Sequence, residues 1–229
     1  VAALKDSNFR IRMKALSGLD LSKPDQAKAA LSEVEKMASN DPKTLVQSAA
    51  ISALAKTKDK KYLPLFENGI HTVSNSVKGS SLTGISLVDP AKVASLADKI
   101  DLEGASDDLI SQLLPVIVKN KIEKQMPAIA STAAFYPFIK FQNPELGASA
   151  EDGFNWIMSS DNLKATENVT KVLTQVKKQI GENPQAKMMI LQILKDGLAK
   201  KMTVLKANPS SPTINQQVDA LNKAIEAYK

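Results

Sequence analysis

The sequence predicts an all-α fold, an α–α superhelix of repeated helix hairpins followed by a C-terminal helical subdomain. Three observations lead to this prediction. A short pattern of small and apolar residues recurs along the first half, a second amphipathic stretch follows each copy, and no segment alternates as a half-buried strand does. The copies are 35, 31 and 32 residues apart, and periods of this length are typical of α-solenoids.

The recurring pattern is clearest in VQSAAISAL, residues 46–54. Its larger apolar residues and one alanine take the i, i+4, i+5, i+8 spacing of one helix face, and its small residues allow other helices to approach closely. Three further copies are IRMKALSGL (11–19), VKGSSLTGI (77–85) and LISQLLPVI (109–117). We expect the small residues Ala15, Ala50 and Ser81 to be buried at equivalent places, whereas the fourth copy has Leu113 there.

The second amphipathic stretches begin near residues 27, 61, 91 and 124. Several helix starts combine a capping residue with a following proline, whose missing N–H costs nothing at the first helical position. This pair occurs at Asp41-Pro42, Asp89-Pro90, Asn143-Pro144, Asn183-Pro184 and Ser211-Pro212. The chain is therefore expected to be a run of helices with well-marked beginnings.

The pattern changes after residue 135, and we divide the chain into helical repeats (1–140) and a C-terminal helical subdomain (141–229) packed on the last repeat. Six of the ten aromatic residues fall between 135 and 156. They form either a core where the two parts meet or a surface that docks another domain, and the candidate docking residues are Phe135, Phe138, Phe141 and Trp156.

Three longer helices are predicted after the aromatic cluster, because apolar residues recur there at helical spacing. The stripes are Val169, Val172, Leu173, Val176 and Ile180; Leu191, Leu194, Leu198, Met202 and Leu205; and Ile214, Val218, Leu221, Ile225 and Tyr228.

Charge and composition exclude some classes of function. The net charge is +6, but only Arg10 and Arg12 are arginine and the lysines are scattered among 24 acidic residues, so solvated helix faces are favoured over a nucleic-acid track. The longest apolar runs, such as LLPVIV, fall short of the roughly 20 residues of a membrane span. The opening VAALKD has no initiating Met and leads us to expect a piece of a longer chain.

Catalytic groups are sparse, and we predict no catalytic, cofactor-binding or metal-ligating residue in this chain. His71 is the only histidine and there is no cysteine, which excludes HExxH and thiolate zinc sites. Asp107 and Asp108 follow Ser106 and are better explained as a first helical turn that complements the helix dipole. Gly79 and Gly84 lack phosphate-loop spacing and are better explained by close helix contact.

The stretches VQSAAISALAKTKDKKYLPLFENGI and SNSVKGSSLTGISLVDPAKVASLADKI resemble HEAT-type repeats. More narrowly, residues 6–100 and the ending INQQVDALNKAIEAYK resemble the C-terminal helical domain of bacterial zinc metallo-aminopeptidases of the aminopeptidase N type. The Val-Arg pair usual in HEAT helices is present as Ile11-Arg12, whereas Gln47 and Lys78 take the arginine position in later copies.

The resemblance implies a non-catalytic role. In that family the zinc ligands and the general-base glutamate lie in an upstream catalytic domain, so zinc is expected there and no cofactor here. The helical domain is expected to pack on that domain and to limit which peptides reach it, touching peptide substrates only indirectly. Two alternatives stay open: a free-standing scaffold that binds a protein or peptide, and a helical-repeat nucleic-acid module with steeply salt-dependent binding.

Overall fold

The structure, a computed structural model, describes residues 1–97, 99–100, 102, 105–181 and 183–228, without the side chain of Asp108. Two predictions therefore lie partly outside the described residues. One is the amphipathic stretch that begins near residue 91, which includes Asp98, and the other concerns the carboxylate of Asp108. The described residues form thirteen α-helices and no strand, which confirms the all-α prediction. The helices are α1 (Phe9–Ser17), α2 (Pro24–Asn40), α3 (Thr44–Ala55), α4 (Leu63–Gly69), α5 (Asn75–Val88), α6 (Val93–Ala97), α7 (Asp107–Lys119), α8 (Met126–Ala134), α9 (Tyr136–Gln142), α10 (Pro144–Ser159), α11 (Leu163–Ile180), α12 (Pro184–Ala207) and α13 (Pro212–Glu226).

The chain divides into two compact units, Val1–Val116 and Ile117–Lys229. In the first unit, α3 packs on α1, α2 and α5, and α4 packs on α5. In the second unit, α10 packs on α8, α9 and α12, and α13 packs on α11 and α12. The boundary at residue 140 stays a prediction about where the repeats end.

The four copies of the recurring pattern lie on α1, α3, α5 and α7, with other helices between them. Ala50 and Ser81 are completely buried, as predicted. Ala15 is only partly buried, and Ile11 on the same helix is 43% exposed, so the prediction was wrong for the first copy. The reason is that α1 packs on α3 and on the N-terminal turn, whereas α3 has neighbours on several sides.

Small residues let α5 approach its neighbours closely. A Cβ built on Gly84 would lie 2.9 Å from the Phe66 ring, and one built on Gly79 would lie 2.5 Å from the amide oxygen of Gln112. A Cβ atom essentially never comes within 3.0 Å of an atom in a non-adjacent residue to which it is not bonded. The glycines therefore serve helix packing, as predicted, and not a phosphate-binding loop.

Replacing Ala50 by leucine is expected to lower the free energy of unfolding by about 1–3 kcal/mol, because Ala50 is completely buried and a larger side chain would overpack the contacts of α3. Ala29 on α2 is exposed, so Ala29→Leu is the matched control and should leave stability nearly unchanged. Urea unfolding followed by circular dichroism measures both variants. Equal stability of the Ala50→Leu variant and the parent chain would contradict the tight packing of α3.

Three of the five predicted proline-marked helix starts are confirmed. The side chains of Asn143, Asn183 and Ser211 accept hydrogen bonds from backbone N–H groups in the first turns of α10, α12 and α13. Asp89 precedes only the short 3-10 turn Pro90–Lys92 and makes no side-chain capping bond there.

The prediction was wrong for Asp41, because α3 begins at Thr44 and Asp41 has another role. Both carboxylate oxygens of Asp41 accept hydrogen bonds from Arg12 on α1, each at 2.8 Å, and both side chains are buried. One of these oxygens also accepts from the backbone N–H of Lys43 at 2.9 Å, and the Asp41 carbonyl accepts from the Gln47 amide at 2.8 Å. Asp41 thus fixes α1 to the turn that leads into α3.

Two further polar contacts join successive copies. The Ser48 hydroxyl donates to the Ser76 carbonyl at 3.0 Å, and the Asn75 amide donates to the Ser106 hydroxyl oxygen at 3.0 Å. The same hydroxyl accepts from the backbone N–H of Leu109, and α7 begins at Asp107, which confirms the predicted helical turn after Ser106. Each helix that carries a copy is therefore tied to the start of the next.

The stripe predicted for α13 is confirmed, since all five of its residues are buried. The stripe predicted for α11 is confirmed in part, because Val169 and Leu173 are buried and the others are partly exposed.

The stripe predicted for α12 was wrong in register. The buried residues are Ile190, Ile193, Leu194, Gly197 and Lys201, which share only Leu194 with the predicted set. Met202 is 38% exposed, and the three other leucines of the predicted stripe are partly exposed. Apolar residues cover more than half of the circumference of α12, so helical spacing alone does not tell which part packs on α10 and α13.

Candidate functional site: an aromatic face on α9 and a pocket at Trp156

Helix α9 is held firmly against α10. A Cβ built on Gly147 would lie 2.2 Å from Cα of Lys140, so α10 begins in direct contact with the α9 backbone. The Lys140 ammonium donates to the Glu151 carboxylate at 2.7 Å, which adds an ion pair to the same contact. Side chains on the far side of α9 are therefore presented by a fixed helix.

An aromatic face, defined as Phe135, Phe138 and Phe141, runs along α9 at a spacing of three residues. The rings of Phe135 and Phe138 meet edge to face with centroids 6.0 Å apart, and both residues are partly exposed. Phe141 is 93% exposed. A phenylalanine this exposed on a firmly held helix is what a docking surface requires, because its burial by a partner costs little side-chain ordering.

Two other aromatic residues of the predicted cluster lie in the core of the second unit or against it. Phe154 on α10 is almost completely buried, and its ring lies 5.4 Å from that of Tyr136. The pKa of Tyr136 is raised, first by burial and then by the carboxylates of Asp196 and Glu151. The core interpretation thus holds for Phe154, which is buried, with the partly buried Tyr136 packed against it. The docking interpretation of the aromatic face stays a prediction.

Trp156, the fourth predicted docking residue, lies elsewhere on the second unit. It lines an open pocket of about 520 Å³ together with the carboxylate residues Glu123 and Asp161. The Lys121 ammonium lies 4.9 Å from the centre of the indole ring. Among the described residues no ring contact joins Trp156 to the aromatic face, so the predicted set divides into the aromatic face and this pocket.

Lys201 is a buried cation next to the Trp156 pocket that sequence reasoning missed. Its ammonium donates to the carbonyls of Ser160, at 2.6 Å, and Ile157, at 3.2 Å, at the C-terminal end of α10. A positive charge there is favourable because helix carbonyls at this end lack partners. Burial lowers the pKa of Lys201 to about 8, and the charge of Asp161 opposes this shift.

Among the described residues, the remaining candidates are not grouped into a catalytic constellation. His71 is exposed in the turn after α4, and its backbone N–H donates to the Asn68 carbonyl at 3.2 Å. In the part of the chain that the structure describes, no three or more His, Cys, Asp or Glu side chains are grouped so that they could hold a metal ion. Of the described helices, none has the length and apolarity needed to cross a membrane.

The fluorescence of Trp156 is expected to be quenched by acrylamide in the isolated chain, because the residue is only partly buried and its pocket is open. Trp156 is the only tryptophan, so the signal is unambiguous. The quenching constant should lie between that of a free indole and that of a fully buried one, with the urea-unfolded chain as the upper reference. An absence of quenching would place Trp156 in a core.

No family model matches the chain, and no curated protein matches it. Function is therefore inferred from the repeat pattern and the aromatic face.

Proposed function

We propose that this chain is the non-catalytic, C-terminal helical-repeat domain of a zinc-dependent aminopeptidase. In this proposal it packs on the catalytic domain of the same polypeptide and restricts the access of peptides to it. Zinc belongs to the catalytic domain, and no residue of this chain is assigned to the metal or to the reaction. The domain acts through its surface and shape.

The repeat pattern is the observation that carries the proposal. The copies lie on α1, α3, α5 and α7, and Ala50 and Ser81 are completely buried at equivalent positions of two copies. This regularity supports the resemblance of residues 6–100 to the helical domain of such enzymes. The link to an aminopeptidase rests on that resemblance, and the full reading frame tests it directly: an upstream domain with HExxH is expected.

The aromatic face supports docking of the catalytic domain. Phe141 offers nearly its whole ring to a partner, and Phe138 and Phe135 extend the same apolar surface along α9. Aromatic residues are enriched at the centres of protein interfaces, where a few of them carry much of the binding energy. We therefore expect the catalytic domain to cover Phe141.

A binding assay between the separately produced catalytic domain and this chain tests the docking surface. Phe141→Asp should weaken binding by at least tenfold, about 1.4 kcal/mol, because it places a charge in an apolar contact. Val73, which is 98% exposed in the first unit, provides the matched control, and Val73→Asp should bind as the unchanged chain does. Equal affinity of the Phe141→Asp variant would remove the aromatic face from the interface.

Substrate access is tested in the parent enzyme. Deleting residues 1–229 from the parent enzyme should raise the rate at which it hydrolyses long peptides relative to the rate for short aminoacyl substrates. The reason is that the domain no longer restricts the access of long peptides to the catalytic domain. An unchanged length preference would contradict the access role. A reading frame without an upstream catalytic domain would instead favour the free-standing scaffold.

A further inference from the structure

Helix α12 carries a second apolar stripe that the described fold covers only in part. Four of its apolar residues, Leu191, Leu198, Met202 and Leu205, belong to the stripe predicted as core, and the fifth, Met188, lies three residues before Leu191. All five are exposed or partly exposed. We define the α12 seam as Met188, Leu191, Lys195, Leu198, Met202 and Leu205. Met188 is 68% exposed and Met202 is 38% exposed, and α12 packs on α10 and α13 through the adjoining face.

The spacing of the α12 seam is that of a helix–helix contact. Its members follow one another at intervals of three and four residues over most of the 24-residue helix, which is the a/d pattern of a coiled coil. Lys195 takes one a-type position, where a single lysine restricts register and partner choice. Two of the apolar members are methionines, whose flexible side chains are common on surfaces that bind amphipathic helices.

The charges along the α12 seam are positive. Lys195 lies within it and Lys206 follows Leu205, and both side chains are exposed. No ion pair described for the chain involves either lysine. The only acidic residue of α12, Asp196, lies off the seam and accepts a hydrogen bond from Gln192 at 2.8 Å.

We propose that the α12 seam binds an amphipathic helix of a partner protein that carries acidic residues beside its apolar stripe. The apolar members of the seam supply the buried contact, and Lys195 and Lys206 select the acidic partner through charge complementarity. A second copy of this chain is disfavoured, because two seams would bring like charges together. This inference goes beyond the proposed function, since α12 and the aromatic face use different residues.

A synthetic helix of about three heptads, with leucine at the a and d positions and glutamate beside them, is the probe. Binding to the 229-residue chain is measured by calorimetry, and a peptide with lysine in place of glutamate is the control ligand. The acidic peptide should bind and the basic one should not. Affinity for the acidic peptide should fall with rising salt, as expected for complementary charges.

Met202→Glu should weaken binding of the acidic peptide by roughly tenfold or more, because it puts a like charge into the contact. Met189 is the matched control: it is a methionine of the same helix, is 41% exposed and lies off the seam, so Met189→Glu should leave affinity unchanged. Absence of binding, an equal loss in both variants, or equal binding of the basic peptide would overturn the proposal. Dimerisation through the seam, detected by sedimentation and abolished by Met202→Glu, would also overturn it and make a second copy the occupant.

Discussion

Replacing Asp41 by alanine is expected to lower the free energy of unfolding by about 3 kcal/mol, because the change leaves the buried Arg12 without its carboxylate. Removing one partner of a buried ion pair usually lowers the free energy of unfolding by somewhat more than this. Here Arg12 also donates to the carbonyls of Asp6, at 2.7 Å, and Ser7, at 3.1 Å, and these bonds remain. Urea unfolding of the chain measures the change.

The exposed pair Lys92–Glu67 provides the matched control for this prediction. Its atoms are 2.7 Å apart, as close as those of the buried pair, but both side chains are partly in solvent. Lys92→Ala should therefore change stability much less than Asp41→Ala, since surface pairs are screened and cost ordering entropy. A similar effect of the two substitutions would show that burial of Arg12 and Asp41 does not decide the strength of their contact.

Lys201 is expected to make stability rise with pH between about 8 and 10.5. Burial lowers its pKa to about 8, so between these limits the unfolded chain binds a proton that the folded chain has lost. Below pH 8 both states are protonated and the contribution is constant. The full change from pH 8 to above 10.5 is roughly 3 kcal/mol, since one pKa unit corresponds to about 1.4 kcal/mol.

The Lys201 contribution is obtained as a difference between variants. Unfolding free energies of the unchanged chain and of Lys201→Met are compared at pH 7 to 10, and only the unchanged chain should show the additional rise. Lys200 is exposed on the same helix, and Lys200→Met should keep the rise. Identical pH profiles for the unchanged chain and Lys201→Met would contradict a charged, buried Lys201.

The repeat helices could be predicted from the sequence because their apolar and small residues lie on one face with a regular period. The role of Asp41 could not be predicted from the sequence. Its position before Pro42 fits a local cap, whereas its actual partner, Arg12, is 29 residues away along the chain. The correct register of α12 was also beyond the sequence, since its apolar residues fit two faces and only the contacts with α10 and α13 select one.

The candidate site was predictable in part for similar reasons. The spacing of three residues places Phe135, Phe138 and Phe141 along one side of α9. Whether this side is open could not be predicted, because it depends on where α10 packs on α9, which is at Gly147. Lys201 was counted among solvated lysines, because a lysine in an adjacent pair is usually exposed. Lys201 lies seven residues after Leu194, about two helical turns along the same side of α12, and this spacing was the signal that it belongs with the buried residues of that helix.

The small residues that allow close packing of α5 also make it a poor helix by itself. Its fourteen residues, NSVKGSSLTGISLV, include two glycines, four serines and several β-branched residues, all of which lower intrinsic helicity. Its secondary structure therefore depends on α3 and α4, which pack on it. Amide protons of α5 should exchange with deuterated solvent only when these neighbours separate, so their exchange rates report the collective opening of the first unit and not local fraying.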